Sequence, residues 1–329
     1  MKYLIVLFHC IGLLFVLINL TYAGQYQAVR LIFDTDIESD VDDVGAVAVL
    51  HALANRNETE ILAMMISSNN PWSASCLDAL NTYYGRPDIP IGCVKENGLK
   101  KGSKYTEIIA KEYPHDLESF NKVPAAVTLY RKILSSQPDN SVTIVTVGYL
   151  TNLKNLLISE PDEFSRFGGS SLVQRKVRVL VCMGGVYPKG REWNFYQDTA
   201  ASKKVVSSWP TPIIYCGYEI GAAIKTGSGL RVLPHNNPVR RSYELYNNLS
   251  DRESWDQTAV LFAVRGGNGQ LKDVWDVVMA GSNHINPDGS NMWLKVPDKQ
   301  HAFLVKKMKP ERIARIIEGL MIQPLHISR

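Results

Sequence analysis

Short, mostly apolar runs rich in Val and Ile alternate along the chain with stretches whose apolar residues return every three or four positions. The runs are Ala28–Phe33, Glu60–Ser67, Ile89–Val94, Val142–Val147, Val177–Met183 and Pro212–Cys216. Helical patterning fills the intervals near 42–56, 73–84, 123–136, 151–158 and 198–208, and returns near 252–265 and 310–322. Strands that are apolar throughout need cover on both faces, and strands separated by helices pair in parallel. The pattern predicts an α/β fold: a mainly parallel, Rossmann-like open sheet with helices on both faces. The segment 282–305, "SNHINPDGSNMWLKVPDKQHAFLV", reads as a turn-rich connection followed by a strand. No repeat, low-complexity tract or linker divides the chain, so one domain is expected over residues 24–329.

The first 24 residues, "MKYLIVLFHCIGLLFVLINLTYAG", follow another rule. One early charge, a long apolar run and a small-residue end are the layout of a secretory signal peptide. Residues 1–23 are therefore set apart from the fold, and a secreted protein is expected, free of the membrane once the signal is cleaved. The run Tyr3–Leu20 borders on membrane-spanning length, which makes an uncleaved anchor the alternative. Secretion makes Asn57-Glu-Thr and Asn248-Leu-Ser legible as glycosylation acceptors. Cys76, Cys93, Cys182 and Cys216 then remain; they have no zinc-like spacing and are too few for a disulfide framework. Buried thiols and one bridge both fit them.

The 329 residues are 45% hydrophobic and 21% charged, ordinary globular values. A net charge of +4 is scattered rather than massed, which excludes a nucleic-acid footprint. Against that mildly basic background one stretch stands out, "LIFDTDIESDVDDVGAVAVL". It places Asp34, Asp36, Glu38, Asp40, Asp42 and Asp43 at the end of the first predicted strand. One or two of these would be helix caps or dipole-favoured acids. Six repel one another and raise each other's pKa, and a divalent cation is the simplest compensation. Oxygen-only ligands favour Ca²⁺ or Mg²⁺. An EF-hand is a poor match, because counting from Asp34 puts Ser39 where the loop needs Gly and Gly45 where it needs Glu.

In open α/β sheets ligands bind beyond the carboxyl ends of the strands. Four predicted strand ends carry polar or Gly-rich groups: the acid cluster, "SSNNPW", "GYLTN" and "GGVYPKGREWNFYQD". The order of these pieces resembles the inosine–uridine-preferring nucleoside hydrolases. Asp34-Thr35-Asp36 and Asp42-Asp43-Val44-Gly45-Ala46 parallel that family's Asp-x-Asp and Asp-Asp signature. The loop "IESDV" departs from it, being two residues longer and lacking Pro-Gly, and leaves open whether Asp36 or Asp40 faces the substrate. "ILAMMISSNN" parallels the second strand, placing Asn70 on the family's Asn and Asn69 on its Gly. "VTVGYLTNL" places Thr151. "VCMGGVYPKGREWNFYQDTAA" places Met183, Glu192, Asn194 and Asp198, and "SWDQTAVL" places Trp255 and Asp256.

The resemblance implies Ca²⁺ held by Asp36, Asp43, the backbone carbonyl of Thr151 and Asp256, and hydrolysis of the N-glycosidic bond of a ribonucleoside. Asp36 is implied as the base for the attacking water, whose pKa the cation lowers. Asp42, Asn69, Asn70, Glu192 and Asn194 are implied for substrate binding, with Met183 lining the pocket and Asp34 as support behind the ligands. Trp255 stands where some members carry a His acid. It resembles the purine-preferring branch, in which the base is stacked, with Trp72 or Trp193 as a second wall. His115, His235 and His284 stay open as acids. A homodimer or homotetramer is also implied. Two alternatives remain at this point: a haloacid-dehalogenase-type phosphohydrolase with Asp34 as nucleophile, and a nucleoside- or ribose-binding protein with impaired catalysis.

Overall fold

A computed structural model describes residues 27–323, apart from 97, 118 and 297–299. The predicted signal segment, residues 1–23, lies outside the described residues. The chain opens β1 (Val29–Thr35), α1 (Asp42–Asn55), β2 (Thr59–Ile66), α2 (Ser73–Tyr83), β3 (Ile91–Cys93), α3 (Thr106–Glu112), α4 (Ala126–Ser136) and β4 (Val142–Thr146). It continues α5 (Thr151–Leu157), α6 (Gly169–Lys176), β5 (Val177–Met183), β6 (Lys189–Gly190), α7 (Trp193–Gln197), α8 (Thr199–Ser208), β7 (Ile213–Cys216) and α9 (Tyr218–Gly221). The last third holds β8 (Lys225–Thr226), α10 (Pro238–Asn247), β9 (Arg252–Glu253), α11 (Trp255–Arg265) and β10 (Trp275–Val278). It closes with β11 (Ser282–Ile285), β12 (Asn291–Leu294), β13 (His301–Lys306) and α12 (Pro310–Met321).

Eight strands form the main sheet in the order β10-β13-β7-β5-β4-β1-β2-β3. All neighbours are parallel except the edge strand β10, which runs antiparallel to β13. The expected single α/β domain with a mainly parallel open sheet is the fold observed.

Alternation along β1 explains why its sequence is apolar throughout. Leu31 and Phe33 enter the core with residues of α1, α2, α11 and α12, such as Leu50, Leu77, Val260 and Ile317. Ile32 points the other way, into a core with Leu129 of α4, Leu153 of α5 and Val205 of α8. Each such fully buried side chain contributes about 1.5–3 kcal/mol. Helix α1 is buried from Asp42 to Leu53, so its Ala/Val sequence has no polar face. All four cysteines are free and buried, which decides between the two readings left open above.

One expectation is corrected. Segment 282–305 ends in the expected strand, β13, but the part before it is more than a turn-rich connection: β11 and β12 form an antiparallel hairpin, and β6 adds to it. Its turn is the polar Asn286–Ser290 stretch, closed where the Asn286 amide donates to Ser290 O at 2.8 Å.

Candidate active site

The carboxyl ends of β1, β4, β5 and β7 open onto one cavity of about 310 Å³. Its lining includes Asp36, Asp40, Asp42 and Asp43 after β1, Val147 after β4, and Met183, Glu192, Trp193 and Asn194 at and after β5. Tyr218 comes from α9, Arg252 from β9, and Trp255 and Asp256 from the start of α11. Gly148 permits the closeness of β1 and β4 here, because a Cβ on it would collide with the Asp36 amide nitrogen.

Helices α1 and α11 pack against each other with their first turns at the cavity. That packing brings one carboxylate oxygen each of Asp42, Asp43 and Asp256 within 4.8 Å of one another, all three residues being buried. The Asp256 amide donates to Asp42 Oδ2 at 3.2 Å. Asp43 accepts from the Thr35 hydroxyl and from the Ile37 amide. Burial and mutual repulsion push all three carboxyls well above the usual range. Asp36 beside them is pushed up to about 8, by burial first and then by Glu38. Helix N-termini favour negative charge there by only a fraction of a kcal/mol to about 2 kcal/mol, too little to hold this many buried carboxylates ionised.

Glu192 caps α7, accepting from the amides of Asn194 at 2.7 Å, Gly185 at 3.1 Å and Phe195 at 3.2 Å. Burial still raises it to about 7. Gly185 makes this turn with a φ of +79° that side-chain-bearing residues rarely adopt. The Asn194 amide nitrogen donates to Val147 O at 2.8 Å, which locks that side chain across the cavity floor.

The aromatic wall is a stacked pair. Trp255 and Tyr218 have ring centroids 5.3 Å apart and 28° between planes, and the Trp255 indole donates to Tyr218 O at 2.9 Å. The Arg252 guanidinium lies 5.1 Å from the Trp255 ring. It is itself held by Asp40, with Nε to Oδ1 at 3.1 Å and Nη2 to Oδ2 at 2.5 Å.

Residues 31–280 match the family model described as inosine-uridine preferring nucleoside hydrolase. The chain belongs to that family, whose members are N-glycosyl hydrolases. Its fold is similar to a plant nucleoside hydrolase at 19% identity and TM-score 0.66, with 90% of this chain and 99% of the other covered. It is similar to an inosine-guanosine nucleoside hydrolase at 18% identity and TM-score 0.63, covering 89% and 98%. A type III effector, XopQ, in complex with adenosine diphosphate ribose matches at 13% identity and TM-score 0.62, covering 89% and 93%. Among curated proteins no match is found.

Asp36, Asp42 and Asp43 thus meet at the cavity, while Asp34 does not line it. Asp42, expected on the sugar, stands within the closest carboxylate group, and Asp36, expected in that group, stands beside it. Asp34 is fully buried and accepts from Tyr130 Oη at 2.8 Å and Asn152 Nδ2 at 3.2 Å. Thr151 is buried at the start of α5, its hydroxyl donating to Asp198 Oδ2 at 2.6 Å, and is not among the lining side chains.

Asn70 is buried, but its Oδ1 accepts from the Trp72 amide at 2.9 Å, a local turn. Asn69 does not join the cavity: its amide donates to Leu99 O at 2.6 Å, and its side chain faces a separate depression with Trp72 and Lys100. Of the two proposed second walls, Trp193 lines the cavity and Trp72 does not. None of His115, His235 and His284 lines it either.

Sequence reasoning missed Tyr218 and Arg252, which line the cavity, and Tyr149, whose hydroxyl donates to Glu38 Oε1 at 3.2 Å. Tyr218 follows β7, so carrying the strand-end rule one strand further finds it. Tyr149 occupies the unspecified position of "GYLTN", and Arg252 carries no signal in the sequence.

Proposed function

We propose that the protein is a secreted, Ca²⁺-dependent nucleoside hydrolase that prefers purine ribonucleosides. The observation that carries this reading is one cavity holding clustered buried carboxylates at its base and a Trp–Tyr stack on its wall.

Asp36, Asp40, Asp42, Asp43, Glu192 and Asp256 share the cavity with one guanidinium, already paired to Asp40. The uncompensated set is all oxygen and fits a hard divalent cation, with Asp42, Asp43 and Asp256 as its holders. When bound, such an ion lowers the pKa of a water and neutralises the carboxylates around it. Asp36 takes a proton from the attacking water. Burial and Glu38 raise its proton affinity, and a bound cation would return it to the ionised form that a base needs. The neighbouring carboxylates stabilise positive charge developing on the sugar as the N-glycosidic bond lengthens. Glu192 and Asn194, fixed by backbone partners, orient the ribose.

Among the described residues no histidine lines the cavity, and the departure of the base would be helped by stacking. A purine offers the larger face to Trp255. Ribose release from a nucleoside panel tests the reading: inosine, guanosine and adenosine are expected to turn over faster than uridine and cytidine, and the reverse order would sink it. Trp255→Ala should lower kcat/KM for inosine roughly 10- to 100-fold, since one base–aromatic stack provides about 1–3 kcal/mol.

Secretion is supported by the leader-like N-terminus and by the exposure of both sequon asparagines. Asn57 and Asn248 sit on exposed positive-φ turns, at +57° and +58°. Protein from a secretory host should shift in electrophoretic mobility on treatment with an N-glycosidase; no shift in the Asn57→Gln/Asn248→Gln comparison would remove this support.

A further inference from the structure

The loop between β1 and α1 places Glu38 in an unusual position. Its side chain is fully buried, yet Lys and Arg side chains supply none of its hydrogen bonds, and it does not line the cavity. Burying a carboxylate is costly unless its oxygens are satisfied. Both are satisfied by groups that lead elsewhere. Tyr149 Oη, itself fully buried, donates to Oε1 at 3.2 Å. The Lys101 backbone amide donates to Oε2 at 3.0 Å.

Both lines converge on one ring. The Lys101 ammonium sits 5.3 Å from the centroid of Trp193. The Tyr149 hydroxyl also lies near the Trp193 side chain, which lowers its proton affinity. Trp193 is 42% exposed and lines the cavity, so its own burial fixes it weakly. Within its own segment its one ring contact is an edge packing with Tyr196, at 5.5 Å. A half-exposed indole held by a tyrosine and a lysine, both tethered to one buried carboxylate, has its place set from Glu38.

We propose that Glu38 is a positioning residue for base recognition: through the Tyr149 hydroxyl and the Lys101 amide it fixes the Trp193 wall of the cavity. The inference rests on the nucleosidase reading for its consequence, because a fixed second aromatic wall serves a bound base. Asp40 of the same loop pins Arg252 beside Trp255, so the two acids brace the two aromatic sides, one each.

The test is a double-mutant cycle of Glu38→Ala and Trp193→Ala, with Glu38→Gln as the conservative variant and inosine as substrate. Glu38→Ala should raise KM about five- to tenfold, a part of what one base–aromatic stack provides, while the loss of its charge beside Asp36 acts on kcat separately. Glu38→Gln, which can still pair with both partners, should return KM to within about twofold of wild type. In the Trp193→Ala background the Glu38→Ala effect on KM should vanish, because groups acting as a unit are not additive. An undiminished effect in that background, or an unchanged KM in Glu38→Ala, overturns the proposal.

A readout without turnover separates this inference from the functional reading. The tryptophan emission assigned to residue 193, taken as the difference between each protein and its Trp193→Phe counterpart, should change on Glu38→Ala and be restored by Glu38→Gln. If no nucleoside is cleaved, the functional reading fails and this emission difference alone decides the link. Identical difference spectra would overturn it.

Discussion

Asp36→Asn is expected to lower kcat on the best nucleoside by about 10²- to 10⁴-fold, the range that one positioned general base provides. Asn keeps the shape and some hydrogen bonding but cannot take the proton. The same change should leave the fold intact or firmer. Asp36 is buried, next to Glu38, with Asp43 and Asp256 feeling its charge, and replacing it by a neutral amide removes repulsion from each. Falling activity with a steady or rising Tm is therefore the signature of a base rather than of a scaffold residue.

The comparison that gives the result its meaning is Asp40→Asn. Sequence alone left Asp36 and Asp40 as rivals for the base. In the structure Asp40 is bound through both oxygens to Arg252, and its carbonyl accepts from Tyr105 Oη at 2.6 Å. Asp40→Asn should thus cost up to about 3 kcal/mol of stability, as loss of a charged hydrogen-bonded pair does, and disturb the Trp255 side, lowering kcat only about tenfold or less, which is about 1.4 kcal/mol. If kcat collapses in Asp40→Asn and survives in Asp36→Asn, the roles are exchanged.

That ambiguity shows what the sequence could carry. The sheet was legible because its strands are buried on both faces, and a run such as Val177–Met183 has one interpretation at that length. The acid cluster was legible as a site because repulsion among six acids needs a cause. The short helices α7 and α9 were not, having five and four residues and no room for a periodic pattern. Nor were the partners of Glu38 and Asp40. Tyr149 and Arg252 lie 111 and 212 residues away in the chain, and only the folded sheet and the β8–β9 pair bring them back. Counting without gaps past β2 misplaced Asn69 for a related reason. Its backbone is turned by Leu99, and nothing within "SSNNPW" encodes that contact.

Removing divalent metal is expected to abolish turnover and to reveal a stability that depends on pH in a direction opposite to ordinary acid denaturation. In the metal-free protein Asp34 is raised to about 7, Asp36 to about 8 and Glu192 to about 7, while Asp42, Asp43 and Asp256 lie well above their usual value. Unfolded, these groups titrate near 4. Between about pH 4 and pH 8 the folded chain thus holds more protons than the unfolded one, so its stability is greatest at the acid end and falls as pH rises through that window. A bound cation favours the ionised carboxylates and cancels most of the fall. With Ca²⁺ at about 100 times its Kd the gain is about 2.7 kcal/mol, and at about 2–4 °C per kcal/mol this reads as a Tm rise of roughly 5–10 °C.

The gain should be larger at pH 8 than at pH 5, because protonated ligands must first release their protons. Thermal melts with chelator, with Ca²⁺ and with Mg²⁺ at both pH values measure it, alongside ribose release under the same conditions. Asp256→Asn should reduce the Ca²⁺-dependent gain, since it removes one of three clustered charges. A chelator that leaves both Tm and turnover unchanged at pH 8 would mean that the carboxylates share protons instead of a cation, and the metal assignment would fall.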